Sequence, residues 1–159
     1  MGSGKSTVGR ILARELGTFF IDSDTLIEAR EGMDVPAIFA ERGEAYFREQ
    51  ERQCLGWMEH ALRGSVVSTG GGLPMHTEGI EKVGRIVFLK SDIETLIGRI
   101  GNDTSNKRPL AEHPEQIRKI YDARLETYEK LSEMTVDANR PPREVAEEIL
   151  VRLFPHRTA

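Results

Sequence analysis

Near the start of the chain stands Gly2-Ser3-Gly4-Lys5-Ser6-Thr7, the back half of the phosphate-binding pattern G-x-x-x-x-G-K-[ST]. Glycines let a backbone bend so that several N–H groups face one anion, and a following helix adds the positive end of its dipole. Lys5 would reach the outer phosphates of a nucleotide and the Ser6 hydroxyl would hold a magnesium ion, with Gly2, Ser3, Gly4 and Thr7 completing the cradle. Asp22 is a further magnesium ligand, direct or through water, while Asp24 suits a substrate hydroxyl because a carboxylate only accepts. Arg48 and Arg124 offer bidentate forks for a carboxylate, and Arg108 adds positive charge for a loose phosphoryl transition state. Gly70-Gly71-Gly72 costs backbone entropy, of order ~1 kcal/mol each against alanine, which suits a backbone that a ligand must approach closely. The chemistry implied is phosphoryl transfer to a small polyhydroxy acid. A nucleoside acceptor would want stacking partners, and the chain is only 6 % aromatic.

Each of these features has a plainer reading. The opening glycines also fit a flexible terminus, Arg48 with Glu51 a surface ion pair, and the glycine run a loose turn.

The elements that must position these residues alternate. Val8, Ile11, Leu12 and Leu16 fall at helical spacing and Gly17 is a fitting stop. Thr18 to Asp22 reads as a buried strand ending in the acidic turn Asp22-Ser23-Asp24. Leu26 to Arg30 and Val35 to Ala40 read as short helices, with a break at Gly43 and a long helix from about Glu44 to Leu62. Strands are expected at Ser65–Thr69, Arg85–Leu89 and Met134–Asp137. Helices are expected at Ile80–Val83, from Asp92 through Ile100, from Pro114 to Ser132, and after Pro141-Pro142. Gly101 to Lys107 carries no apolar residue and reads as a mobile loop. Alternating helices and strands predict an α/β fold with a doubly wound parallel sheet and right-handed crossovers. Ligands of such sheets bind at the carboxyl ends of strands, which is where Asp22, Asp24 and the glycine run fall.

The 159 residues fit a single domain, residues 1–159, with 30 % charged and 38 % hydrophobic residues. A net charge of −4 and a pI near 5.6 argue against nucleic acid as the main partner. The lone Cys54 excludes a disulfide framework and reads as a small buried hydrophobe. No apolar run approaches the ~18 residues of a membrane span, and no signal peptide stands out, so no membrane association and a cytoplasmic location are expected.

The ordered set of Gly2-Ser3-Gly4-Lys5-Ser6-Thr7, Asp22-Ser23-Asp24, Gly43-Glu44 with Phe47-Arg48 and Glu51, the triple glycine, Arg108-Pro109-Leu110, Arg124 with Tyr128, and Val136-Asp137 resembles the shikimate kinase family over nearly the whole chain. The resemblance implies a three-layer, nucleoside-monophosphate-kinase-like P-loop fold. It implies transfer of the ATP γ-phosphoryl to the 3-hydroxyl of shikimate, with magnesium, in chorismate and aromatic amino-acid biosynthesis. Asp24 would bind the shikimate hydroxyls and is the candidate base. Arg48, Arg124 and the backbone of Gly70 to Gly72 would hold the substrate, and Glu51 would orient the arginines. Arg108 would belong to a lid at about 101–112 that excludes water, and Arg99 would stack on adenine against Pro141 or Pro142. A monomer is expected. The alternatives are a kinase of the same fold for another hydroxy acid such as gluconate, and an inactive ligand-binding homologue.

The family pattern begins with a strand and the loop's first glycine, and here Met1 already matches a methionine inside the loop. That first strand would lie centrally, between the strands at Ser65–Thr69 and Arg85–Leu89. Without it, orphaned N–H and C=O groups would cost about 1–3 kcal/mol each. Poor folding or low activity of the chain as it stands is therefore the expectation.

Overall fold

The computed structural model describes residues 2–101 and 113–155. Arg108, Pro109 and Leu110 lie outside the described residues, as does nearly all of the segment expected to form a lid. The chain gathers into two compact units, one of Met1–Ile11 with Ile86–Ala159 and one of Leu12–Arg85.

Helix α1 (Lys5–Leu16) starts where the glycines end. The elements that follow are β1 (Phe20–Asp22), α2 (Ser23–Glu31), α3 (Val35–Ala61), β2 (Val66–Ser68) and α4 (Leu73–His76). After a 3-10 turn at Ile80–Lys82 come β3 (Val87–Lys90), α5 (Ile93–Gly101), α6 (Pro114–Leu131), β4 (Met134–Asp137) and α7 (Pro142–Leu153). Every expected strand forms, and all pairing is parallel, as the α/β alternation requires. In the second unit β1 pairs with β2 in the register Phe20↔Val66 to Asp22↔Ser68. In the first unit β3 pairs with β4, Val87↔Met134 to Lys90↔Asp137. Among the described residues, each strand has one ladder partner.

The first unit packs Leu89, Val136, Val145 and Ile149 as its core, and the second packs Ile27, Ile38, Phe47, Leu55, Met58 and Leu73. Burying each such side chain contributes roughly 1.5–3 kcal/mol. Local devices set the element ends. The Asp22 carboxylate accepts the amides of Asp24 (3.1 Å) and Thr25 (3.4 Å) and so caps α2. Asp34 caps α3 through the Ala37 amide at 2.8 Å. The break expected at Gly43 is a kink within α3, where φ is 83° and ψ is 169°, a region only glycine adopts readily.

Two expectations need correction. The run Thr18–Asp22 becomes a strand only from Phe20, and Phe19 is 80 % exposed rather than buried. Gly101, read as loop, is the last residue of α5. Helix α4 was not expected; a single turn carries too few residues to show a period.

Candidate active site

The phosphate loop lies in the first unit. Gly2 and Gly4 both have positive φ, 70° and 82°, and the Gly4 carbonyl accepts the Val8 amide at 2.9 Å as α1 begins. A Cβ on Gly2 would sit 3.1 Å from the Ile100 side chain and 3.2 Å from the Leu96 carbonyl, so α5 closes on the loop only because that position is glycine. No acidic residue stands in the first turn of α1, so its positive dipole end is not neutralised from within. Lys5 is half-buried there, and Ser6 and Thr7 are exposed.

Beside the loop is a cavity of about 270 Å³ lined by Ser3, Gly4 and Thr7, by Arg99 from α5, and by Ala138, Arg140 and Pro142 at the start of α7. Arg99 donates from Nη1 to the Ala138 carbonyl (3.0 Å) and to the Gly2 carbonyl (3.4 Å), tying the phosphate loop to the β4–α7 turn. Pro142 rather than Pro141 stands in the cavity wall. Arg140 is anchored by the Glu148 carboxylate of α7, which also takes Arg152 at 3.0 Å. These bonds from Arg140 and Arg152 hold the Glu148 carboxyl below its usual range. Arg124 on α6 neighbours Tyr128, whose hydroxyl is pushed up by burial against the pull of the guanidinium. Tyr128 also packs its ring 5.3 Å from that of Phe88.

The residues expected to bind the acceptor, Arg124 apart, fall in the second unit, where β1 and β2 end side by side. Arg48 from α3 donates from Nη1 to Glu51 at 2.7 Å, and from Nη2 and Nε to Glu44 at 2.8 and 3.2 Å. Glu51 is 1 % exposed, and its carboxylate faces the guanidinium rather than water. Burial opposes the charge on Arg48, but the bonds to Glu51 and Glu44 outweigh it and raise the pKa. Hydrogen bonding to Arg48 likewise lowers that of Glu44. Below the guanidinium lie Phe47 and Phe39, with ring centroids 5.6 and 5.8 Å from its carbon. Acids on two sides and rings beneath fix the fork, and each Nη atom keeps a second N–H.

The glycine run faces these groups. A Cβ on Gly70 would overlap the Asp24 carboxylate, and a Cβ on Gly72 would overlap the Arg48 guanidinium. Neither glycine has a positive φ. They are glycines because a carboxylate and a guanidinium occupy the space a side chain would need, not because the chain must bend there. The Gly70 amide is held by the Ser23 hydroxyl at 2.9 Å in a buried hydrogen bond.

A family profile described as shikimate kinase matches residues 1–154. The chain belongs to the shikimate kinase family. Among curated relatives, the shikimate kinase of Sulfurihydrogenibium sp. is 40 % identical over 158 residues, covering 96 % of this chain and 93 % of its own. That of Pseudomonas paraeruginosa is 42 % identical over 161 residues, covering 96 % and 91 %. Among solved structures, shikimate kinase from Acinetobacter baumannii in complex with shikimate superposes with a TM-score of 0.87 at 33 % identity, over 100 % of this chain and 91 % of that one. The Aquifex aeolicus enzyme gives 0.82 at 37 % identity, over 96 % and 91 %. Membership makes the chain a phosphotransferase that uses ATP, and the match to these structures makes its fold that of a P-loop kinase.

Within this family member, Gly2, Ser3, Gly4, Lys5, Ser6, Thr7, Arg99 and Arg124 all fall in the first unit, and Asp22, Asp24, Arg48, Glu51 and Gly70 to Gly72 in the second. Three residues were given no role in the sequence reading. Glu44 and Ser23 stand in its motifs without one, although Glu44 lies four residues before Arg48 on one helix, a spacing that pairs them, and Ser23 meets Gly70 only through the tertiary structure. Arg140 in the cavity wall stood in no motif. Among the described residues no three or more His, Cys, Asp or Glu cluster as a metal site, and no helix is long and apolar enough to cross a membrane.

Proposed function

We propose that this shikimate kinase transfers the ATP γ-phosphoryl to the 3-hydroxyl of shikimate, giving shikimate 3-phosphate and ADP on the route to chorismate and the aromatic amino acids. One observation carries the substrate side: Gly70 and Gly72 present bare backbone to the Asp24 carboxylate and the Arg48 fork. That arrangement suits a compact ligand with hydroxyls at one end and a carboxylate at the other, and the Acinetobacter relative was solved with shikimate. Arg48, steadied by Glu51, binds the carboxylate together with Arg124. Asp24 accepts from the ring hydroxyls and takes the proton of the attacking one. Lys5 and the amides of Gly2 to Thr7 hold the phosphates, with Arg108 adding charge by virtue of its motif, and the segment 101–112 excludes water. Arg99, with Pro142 rather than Pro141 opposite, bounds the adenine in the cavity beside the loop.

The Ser6 hydroxyl and the Asp22 carboxylate are hard oxygen donors, and magnesium takes one or two such protein ligands beside substrate phosphates, so the donor set fits that ion. Bound there, it would neutralise charge on the transferred group. The molecule acts as a cytoplasmic, single-domain monomer. Gluconate as acceptor is disfavoured, since the relatives found are shikimate kinases.

An ADP-release assay with ATP, magnesium and either shikimate or gluconate tests the reading. Turnover with shikimate alone is expected. Turnover with gluconate alone would overturn the substrate assignment, and tight shikimate binding without ADP release would mark an inactive homologue.

A further inference from the structure

We infer that Ser23 is a positioning residue for the acceptor site: its buried hydroxyl anchors the Gly70–Gly72 turn against Asp24 and Arg48. This rests on the reading of that turn as the shikimate site. Three consecutive glycines have no side chains with which to pack, so the turn cannot fix its own place. One bond closes the turn and one comes from elsewhere in the chain. The Gly70 amide donates to Ser23 Oγ at 2.9 Å across 47 positions of chain, and the Gly70 carbonyl accepts the Leu73 amide at 3.2 Å as α4 begins. Ser23 is fully buried and Gly70 is buried, so water does not compete for the bond. Ser23 also precedes Asp24 directly on α2. One dipeptide therefore sets Gly70, the Ser23 hydroxyl by holding its N–H and the Asp24 carboxylate by filling the space a side chain there would take, with Gly72 two residues on facing the Arg48 guanidinium in the same way. An alanine at position 23 would strand a buried amide, and the turn would shift to find a partner.

The test is steady-state kinetics on Ser23→Ala, Ser23→Cys and Ser23→Thr, with Arg48→Lys alongside. Ser23→Ala is expected to raise KM for shikimate about tenfold while KM for ATP stays within about twofold of wild type. Ser23→Thr keeps the hydroxyl and should recover most of the loss. Ser23→Cys keeps the volume with a weak acceptor and carries the same test should the alanine variant fail to fold. An unchanged shikimate KM in Ser23→Ala and Ser23→Cys overturns the proposal. So does an equal rise of both KM values with no recovery in Ser23→Thr, which would mark a residue needed only for packing. If Arg48→Lys raises the shikimate KM and the Ser23 variants do not, the anchor alone is wrong. If Arg48→Lys leaves it unchanged, the assignment of this turn to substrate falls first.

Discussion

Gly72 shows how a single residue can be chosen for what stands opposite it. Its backbone is helical, with φ −85° and ψ −26°, so alanine would adopt it without strain. The added methyl would meet the tip of Arg48, a flexible side chain, rather than backbone. Gly72→Ala should therefore still fold, but it pushes the fork off its acids, lowering Tm by a few degrees and raising KM for shikimate about tenfold or more while leaving KM for ATP alone; paired kinetics and thermal melts check this. Asp24 makes the complementary case for chemistry. Asp24→Asn keeps the shape and removes the proposed base, so kcat should fall about a hundredfold or more, and a variant with normal turnover would remove Asp24 from that role. Glu51 belongs at this scale too. Glu51→Gln keeps an acceptor but removes the buried charge facing Arg48, which retains Glu44, and should cost about 1–3 kcal/mol of stability in denaturant melts.

Helix α3 sets the reach of those residues. It begins at a cap, kinks at Gly43, and then runs from Glu44 to Ala61 with Phe47, Glu51, Cys54, Leu55 and Met58 buried. The kink separates the turn bearing Phe39 from the turn bearing Phe47, and their rings meet at 4.9 Å. Across it, Arg42 and Tyr46 both bond Glu31 at the end of α2 at 2.9 Å, so the two helices are fastened on either side of the bend. Removing the cap with Asp34→Ala should cost about 1 kcal/mol and lower Tm by a few degrees, read by calorimetry. An unchanged Tm would show that packing alone fixes where α3 begins.

The whole molecule carries a charge of −4, and among the described residues Glu44, Glu49 and Glu148 are carboxylates paired with arginines. Glu44 is lowered by hydrogen bonding to Arg48, and Glu49 by its bonds to Gln53 and Arg52. Glu148 is lowered by bonds to Arg140 and Arg152. Each has a folded pKa below its ordinary 4.5, so each favours the folded state above pH 4.5 and loses that contribution as pH falls through the lowered value. Tm should thus be flat at neutral pH and decline on acidification below about pH 4.5. Glu148→Gln should flatten part of that decline in a Tm series against pH. A decline beginning near pH 6 would point to histidine instead.

The sequence by itself determined the kinds of element and the chemistry they could carry. Helical periodicity marked α1, prolines marked the starts of α6 and α7, short apolar runs with β-branched residues marked all four strands, and Gly43 marked the bend, because these are properties of neighbouring residues. The combination of phosphate loop, paired aspartates, arginine forks and glycine run was legible for the same reason. What required the tertiary structure is everything that depends on the path of the chain between distant positions. Only there does the hydroxyl of Ser23 meet the Gly70 amide, does Glu51 lose its solvent, and do Gly70 and Gly72 turn out to make room for Asp24 and Arg48 rather than to bend. The exposure of Phe19 is of that kind as well, since a run of apolar letters does not say where its strand meets water. Local pattern encodes which conformations a segment favours; which side chains become neighbours is decided when packing brings those segments together.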